Sequence, residues 1–113
     1  KAKKKIENLL EKENINAEVI DLRTVRPIDY ETVINSVKKT NRLVIVEEAW
    51  PLASISSEIT YQVQKHAFDY LDAPIRRICS QDVPLPYAST LVEAYLPSVS
   101  KIVEAAKSVA YKA

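Results

Sequence analysis

The chain of 113 residues contains no glycine. Glycine enters left-handed backbone conformations at little cost, so any helix end or turn that needs one must be built here from another residue. Asn is the next-best residue for such a position, and Asn14, which closes an amphipathic stretch, is expected to end a helix there. Average usage of about 7% would put about eight glycines in a chain this long, so the sequence reads as edited. Methionine is absent as well, including at position 1. Without glycine no glycine-rich phosphate loop is possible, and neither a Walker lysine pattern nor a dinucleotide fingerprint occurs.

A length of 113 residues fits one domain, 1–113, able to bury a core without staples. Sixteen basic and fifteen acidic residues leave a net charge of +1. The charges are interspersed except at Lys3, Lys4 and Lys5, which read as the solvated end of a helix, so no nucleic-acid partner is expected. No apolar run approaches the ~20 residues that span a bilayer, and no signal peptide is visible, so a soluble chain without a membrane partner is expected. A single cysteine, Cys79, excludes an internal disulfide and a multi-cysteine metal site.

Hydrophobic spacing predicts alternating helices and strands. Ile6, Leu9 and Leu10 share one face of a charged helix from about Ala2 to Glu13, followed by a short strand over Ala17–Leu22. Asp29 is a candidate N-cap for a helix to about Lys39 with Val33, Ile34 and Val37 as its stripe. The unbroken run Leu43-Val44-Ile45-Val46 predicts a strand covered on both faces, hence a parallel sheet. Ser54 is placed to cap a helix carrying Ile55, Ile59 and Val63 and ending near Lys65 or His66. Pro74 opens a strand over Ile75–Cys79, and Ser80–Ala88, with two prolines, is a surface loop. Ser98 can cap a last helix on which Val99, Ile102, Val103, Ala106, Val109 and Ala110 keep helical spacing. The order points to a three-layer α/β/α domain with a mainly parallel sheet and right-handed crossovers.

Candidate chemistry is thin. His66 titrates near neutrality in water, but beside Lys65 at a helix end it reads as a surface residue. Cys79 lies at a strand end, where α/β sheets place functional groups, yet a lone strand cysteine is more often a small buried hydrophobe. Glu47 and Glu48 leave the strand expected to be central; they can polarise a substrate or pair with Arg26 or Arg76. Ser54, Ser56 and Ser57 at a helix start can present hydroxyls and amides to an anion, though capping alone explains Ser54. No catalytic, cofactor-binding or metal-binding residue is assigned.

Four segments carry an identity that composition does not: Arg26-Pro27-Ile28-Asp29, Val46-Glu47-Glu48-Ala49-Trp50-Pro51, Tyr70-Leu71-Asp72-Ala73-Pro74 and Pro84-Leu85-Pro86-Tyr87-Ala88. Their order and spacing resemble the C-terminal, transketolase-like domain of the beta subunit of the thiamine-diphosphate-dependent pyruvate dehydrogenase component, from about Lys3 to Tyr111. In that family the stretch after the Val46-Glu47-Glu48 strand is glycine-rich, whereas here it reads Ala49, Ser54, Ser56 and Ser57. The family's domain also has a strand before the first helix, placed centrally between those matching Ala17–Leu22 and Leu43–Glu47. This chain lacks it, so either those two strands pair directly or another segment or chain fills the gap.

The resemblance implies a role in assembly. In the family, thiamine diphosphate and magnesium are held outside this domain, so no catalytic or cofactor residue transfers. The domain is expected to contact its symmetry-related copy, the alpha subunit and the subunit-binding domain of the dihydrolipoyl acyltransferase. That last docking would use Asp72 and the C-terminal carboxylate, here that of Ala113; the alternative for Asp72 is a turn aspartate bonding its own backbone. The parent enzymes decarboxylate pyruvate oxidatively and pass the acetyl group to lipoyl-lysine, in the mitochondrial matrix or the bacterial cytoplasm. The rival expectation is an engineered, reduced-alphabet α/β scaffold, made recombinantly and retaining no partner.

Overall fold

In the computed structural model, residues 2–111 are described. Helices α1 (Ala2–Lys12) and α2 (Tyr30–Thr40) precede strand β1 (Val44–Val46), and α3 (Ile55–Ala67) leads through a 3-10 turn at Phe68–Tyr70 to strand β2 (Arg76–Ile78). Helices α4 (Ser89–Tyr95) and α5 (Val99–Val109) complete the described chain. The strands pair in parallel, with Val44 opposite Arg76 and Val46 opposite Ile78. The architecture is that of an α/β domain with a parallel sheet.

Local signals set most helix ends. The Asp29 carboxylate accepts from the Thr32 amide at 3.1 Å and from the Thr32 hydroxyl at 2.6 Å, satisfying a donor that the first turn of α2 leaves free. Asn41 closes α2 in the left-handed region at φ 66°, and Asn14 after α1 has φ 58°, as expected of asparagine standing in for glycine. Ser98 accepts from the Lys101 amide at 3.4 Å at the start of α5. Ser54 departs from expectation. It precedes α3 but makes no side-chain cap, because its hydroxyl is drawn to the Pro51 carbonyl at 3.2 Å and to Ser56 at 2.8 Å.

Helix α2 packs on α3, and α1 packs on α5, which also covers both strands. Val33, Val37, Ile59, Val63 and Ala67 form the core between α2, α3 and the sheet, with Leu43 and Ile45 against it. Leu10, Ile102, Ala105, Ala106 and Val109 are buried between the other pair of helices and the sheet. Burying each large aliphatic side chain contributes roughly 1.5–3 kcal/mol before the entropy of ordering is subtracted.

Two expectations are corrected. Residues 17–22 run without regular structure and, among the described residues, pair with no strand, so the described sheet has two strands and the segment does not join β1 directly. A strand exists only when a neighbour takes its backbone groups, and here a cavity separates the segment from β1. The stretch Ser89–Tyr95, for which no helix was expected, forms α4, a helix of just under two turns.

Candidate functional site

The C-terminal ends of β1 and β2 and the start of α3 bring together the largest group of interacting polar side chains. Glu47 follows β1 and its amide donates to the Ile78 carbonyl at 3.0 Å, which seats its carboxylate beside α3. The fully buried Ser56 donates to Glu47 Oε1, and the Cys79 thiol lies 3.6 Å from the same oxygen. Arg77 reaches over from β2, donating from Nη1 to Ser57 Oγ at 2.8 Å, to the Pro51 carbonyl at 2.8 Å and to Ser56 Oγ at 3.2 Å.

Burial acts to raise the Glu47 carboxyl, but hydroxyls of Ser54 and Ser56 and the Cys79 thiol outweigh it and hold the group below its ordinary value. Burial pushes the Cys79 thiol up, and the Glu47 charge pushes it further. A thiol held in that way is a poor nucleophile, since reactivity requires the thiolate. The cluster ties three chain segments together.

Several candidate residues are placed differently. Glu47 pairs with neither Arg26 nor Arg76, a correction with a simple cause: Arg26 is exposed on the loop before α2, and Arg76, alternating with Arg77 along β2, turns to Ser108 Oγ at 3.1 Å. Glu48 and His66 are exposed, as are Lys3, Lys4 and Lys5. Arg77 was not singled out from sequence; the period-2 alternation that separates it from Arg76 was the available signal. Among the described residues no group of histidine, cysteine, aspartate and glutamate is arranged to hold a metal ion.

A second region surrounds Asp72. Its amide donates to the Asn41 carbonyl at 2.9 Å, its carbonyl accepts from the Tyr111 hydroxyl at 3.0 Å, and the Asn41 side chain holds the Tyr70 carbonyl at 2.8 Å. The turn is thus pinned to the end of α2 through backbone groups. The Asp72 side chain is exposed and, among the described residues, has no hydrogen-bond or salt-bridge partner, so it does not bond its own turn. Ala113, the other candidate docking residue, lies outside the described residues.

The loops after the two strands and the start of α4 carry a group of exposed apolar side chains. Trp50, Leu52, Val83, Leu85, Tyr87 and Leu91 are all exposed, Leu52 at 82% and Tyr87 fully. The Trp50 indole donates to the Val83 carbonyl at 2.9 Å and joins the two loops.

Residues 3–102 match the transketolase C-terminal domain. The chain belongs to that family. It is 59% identical over 101 residues to the mitochondrial pyruvate dehydrogenase E1 component subunit beta of Dictyostelium discoideum, covering 89% of this chain and 28% of that protein. The corresponding subunit of Rickettsia felis is 56% identical over 92% of this chain and 32% of its own length. That of Rhizobium meliloti is 55% identical over 91% and 22%. This transketolase C-terminal domain thus spans less than a third of the curated relatives it matches. No helix in it is long and apolar enough to cross a membrane, among the described residues.

Proposed function

We propose that this chain is the subunit-interaction domain of a pyruvate-dehydrogenase-type beta subunit and has no catalytic activity by itself. The reading rests on one observation above the others. The exposed apolar face of Trp50, Leu52, Val83, Leu85 and Tyr87 lies on two loops joined to each other, with Leu91 exposed on the adjoining α4, and exposed apolar surface of this kind marks protein contacts. In the parent enzyme such a face would meet the alpha subunit and a symmetry-related copy. The exposed Asp72 carboxylate, without a partner among the described residues and on a turn pinned through its backbone, suits docking to basic residues of the acyltransferase's subunit-binding domain. Thiamine diphosphate and magnesium belong to other parts of the parent, whose reaction is oxidative decarboxylation of pyruvate with acetyl transfer to lipoyl-lysine. The setting is the mitochondrial matrix or the bacterial cytoplasm; the Dictyostelium discoideum relative is mitochondrial.

The test is sedimentation of the purified chain alone and with the pyruvate dehydrogenase alpha subunit of Dictyostelium discoideum. A faster species containing this chain, lost when Leu85 and Leu91 are both replaced by serine, supports the reading. A sharp monomer in both runs at high micromolar concentration overturns it.

A second reading, a glycine-free scaffold that keeps no partner, draws on a separate observation. Arg23, Ala53 and Tyr111 hold left-handed backbone at φ 59°, 55° and 54°, where glycine costs least. Binding to the subunit-binding domain separates the two readings.

A further inference from the structure

The end of helix α5 and the Asp72 turn are closed into one ring of contacts through two consecutive residues. The Asn41 carbonyl accepts from the Asp72 amide at 2.9 Å. Arg42, next in the chain, donates from Nε to the Val109 carbonyl at 2.8 Å, where a cation also suits the negative end of the helix dipole. Shortly beyond Val109, the Tyr111 hydroxyl donates to the Asp72 carbonyl at 3.0 Å and completes the ring. Arg76 adds a second hold on α5, donating to Ser108 Oγ at 3.1 Å.

A hydroxyl on a long side chain fixes its acceptor only if its own backbone is fixed. Arg42 and Arg76 provide that by holding the last turn of α5. Tyr111 itself stands in left-handed backbone at φ 54°, a costly conformation for a residue with a Cβ, which persists only where the surroundings hold it. Its side chain is 70% exposed, so burial does little of that holding, and the bond to Asp72 is the polar contact that does. At Asp72 the effect is directional. Its amide is held by Asn41 and its carbonyl by Tyr111, which fixes the planar peptide groups on both sides of its Cα. The Cα–Cβ bond then has a set direction, and the exposed carboxylate leaves the surface along it. Ala73, buried next to it, keeps the turn seated against the domain.

We propose that Tyr111 is a positioning residue for docking. Through the Asp72 carbonyl it aims the Asp72 carboxylate, so that a basic group of the partner meets a turn already ordered and binding does not have to order it. The inference rests on the docking role proposed for Asp72 and adds to it a residue 39 positions away, on a different element of the fold.

The test is a double-substitution cycle on the whole chain, read by titration calorimetry against the subunit-binding domain of the Dictyostelium discoideum dihydrolipoyl acyltransferase. Tyr111→Phe removes one oxygen and keeps the ring. It should weaken binding about five-fold, the factor that one hydrogen bond is worth. Once Asp72→Asn has removed the carboxylate being aimed, the same change should cost less than two-fold. A general loss of folded protein would instead lower affinity by one factor in both backgrounds. Amide hydrogen exchange by NMR gives a second readout, in which Tyr111→Phe should quicken exchange at Asp72. The proposal is overturned if Tyr111→Phe binds as tightly as the parent, if it weakens binding equally with and without Asp72, or if the Asp72 amide exchanges unchanged. Should the unsubstituted chain give no heat with the subunit-binding domain, the docking role of Asp72 fails first and the positioning role with it.

Discussion

Ser56 stands between Glu47 and Arg77, donating its hydroxyl proton to the carboxylate and accepting from the guanidinium at 3.2 Å. Two opposite charges, one just after β1 and one on β2, are thus joined through a fully buried hydroxyl on the helix that connects those strands. Replacing Ser56 with alanine would leave Glu47 and Arg77 each short of a partner. The expected cost is about 1–3 kcal/mol, the penalty for partly buried polar groups left unpaired. Urea denaturation measures it, and a loss under ~0.5 kcal/mol, the range of an ordinary surface substitution, would show that the bridge is inert.

The Glu47 carboxyl is held below its ordinary value in the folded chain. Its ionised form therefore adds stability at pH above the unfolded carboxylate value of ~4.3, and that contribution fades as pH falls through the lower folded value. The Glu47→Gln variant should be less stable than the parent near neutrality, and the two urea midpoints should converge in acid. A gap that stays constant from neutrality into acid would remove Glu47 from the acid response.

Among the described residues the exposed Asp72 carboxylate has no partner, so its replacement should change binding and leave the fold alone. Asp72→Asn should weaken association with the subunit-binding domain of the acyltransferase by about 1–3 kcal/mol, the range for a charge-assisted hydrogen bond. The loss should shrink as salt rises, because screening weakens the attraction being removed. Titration calorimetry with circular dichroism checks both. Melting of the domain with unchanged affinity per folded molecule would make Asp72 a turn residue and sink the docking assignment.

Ala53 occupies left-handed backbone at φ 55° just before α3. A residue with a Cβ pays roughly 1–2 kcal/mol there, partly offset in a glycine variant by the greater freedom of the unfolded chain. Ala53→Gly should raise stability by about 1 kcal/mol in thermal or urea unfolding. A neutral or destabilising result would show that the surrounding loop, and not this torsion, sets the conformation.

Thiamine diphosphate with magnesium, titrated at millimolar concentration, should give no saturable heat with the purified chain. A diphosphate cradle needs convergent backbone amides and a metal site. Magnesium-dependent saturation would place cofactor chemistry on this domain.

Features that depend on near neighbours in the chain were legible before any fold was known. Ile6, Leu9 and Leu10 marked α1, Asp29 began α2, Asn14 took the left-handed turn, and the i, i+3, i+4 stripe from Val99 to Ala110 marked α5. Helical hydrogen bonds close within four residues, and so do caps, which is why spacing and residue type were sufficient. The four motif segments likewise disclosed the family, since they depend on order along the chain. Tertiary structure alone decided the rest. Ala17–Leu22 has the composition of a strand but no neighbour to pair with, and pairing is a property of two segments. Glu47 met Ser56, nine positions away, and the Arg77 side of β2 in place of Arg26 or Arg76, because the register of two strands chose which arginine faced α3. The placing of the Asp72 turn depended on Asn41 and Tyr111 holding its backbone from 31 and 39 positions away. Such contacts join residues remote in sequence, and only packing the layers brings them within reach.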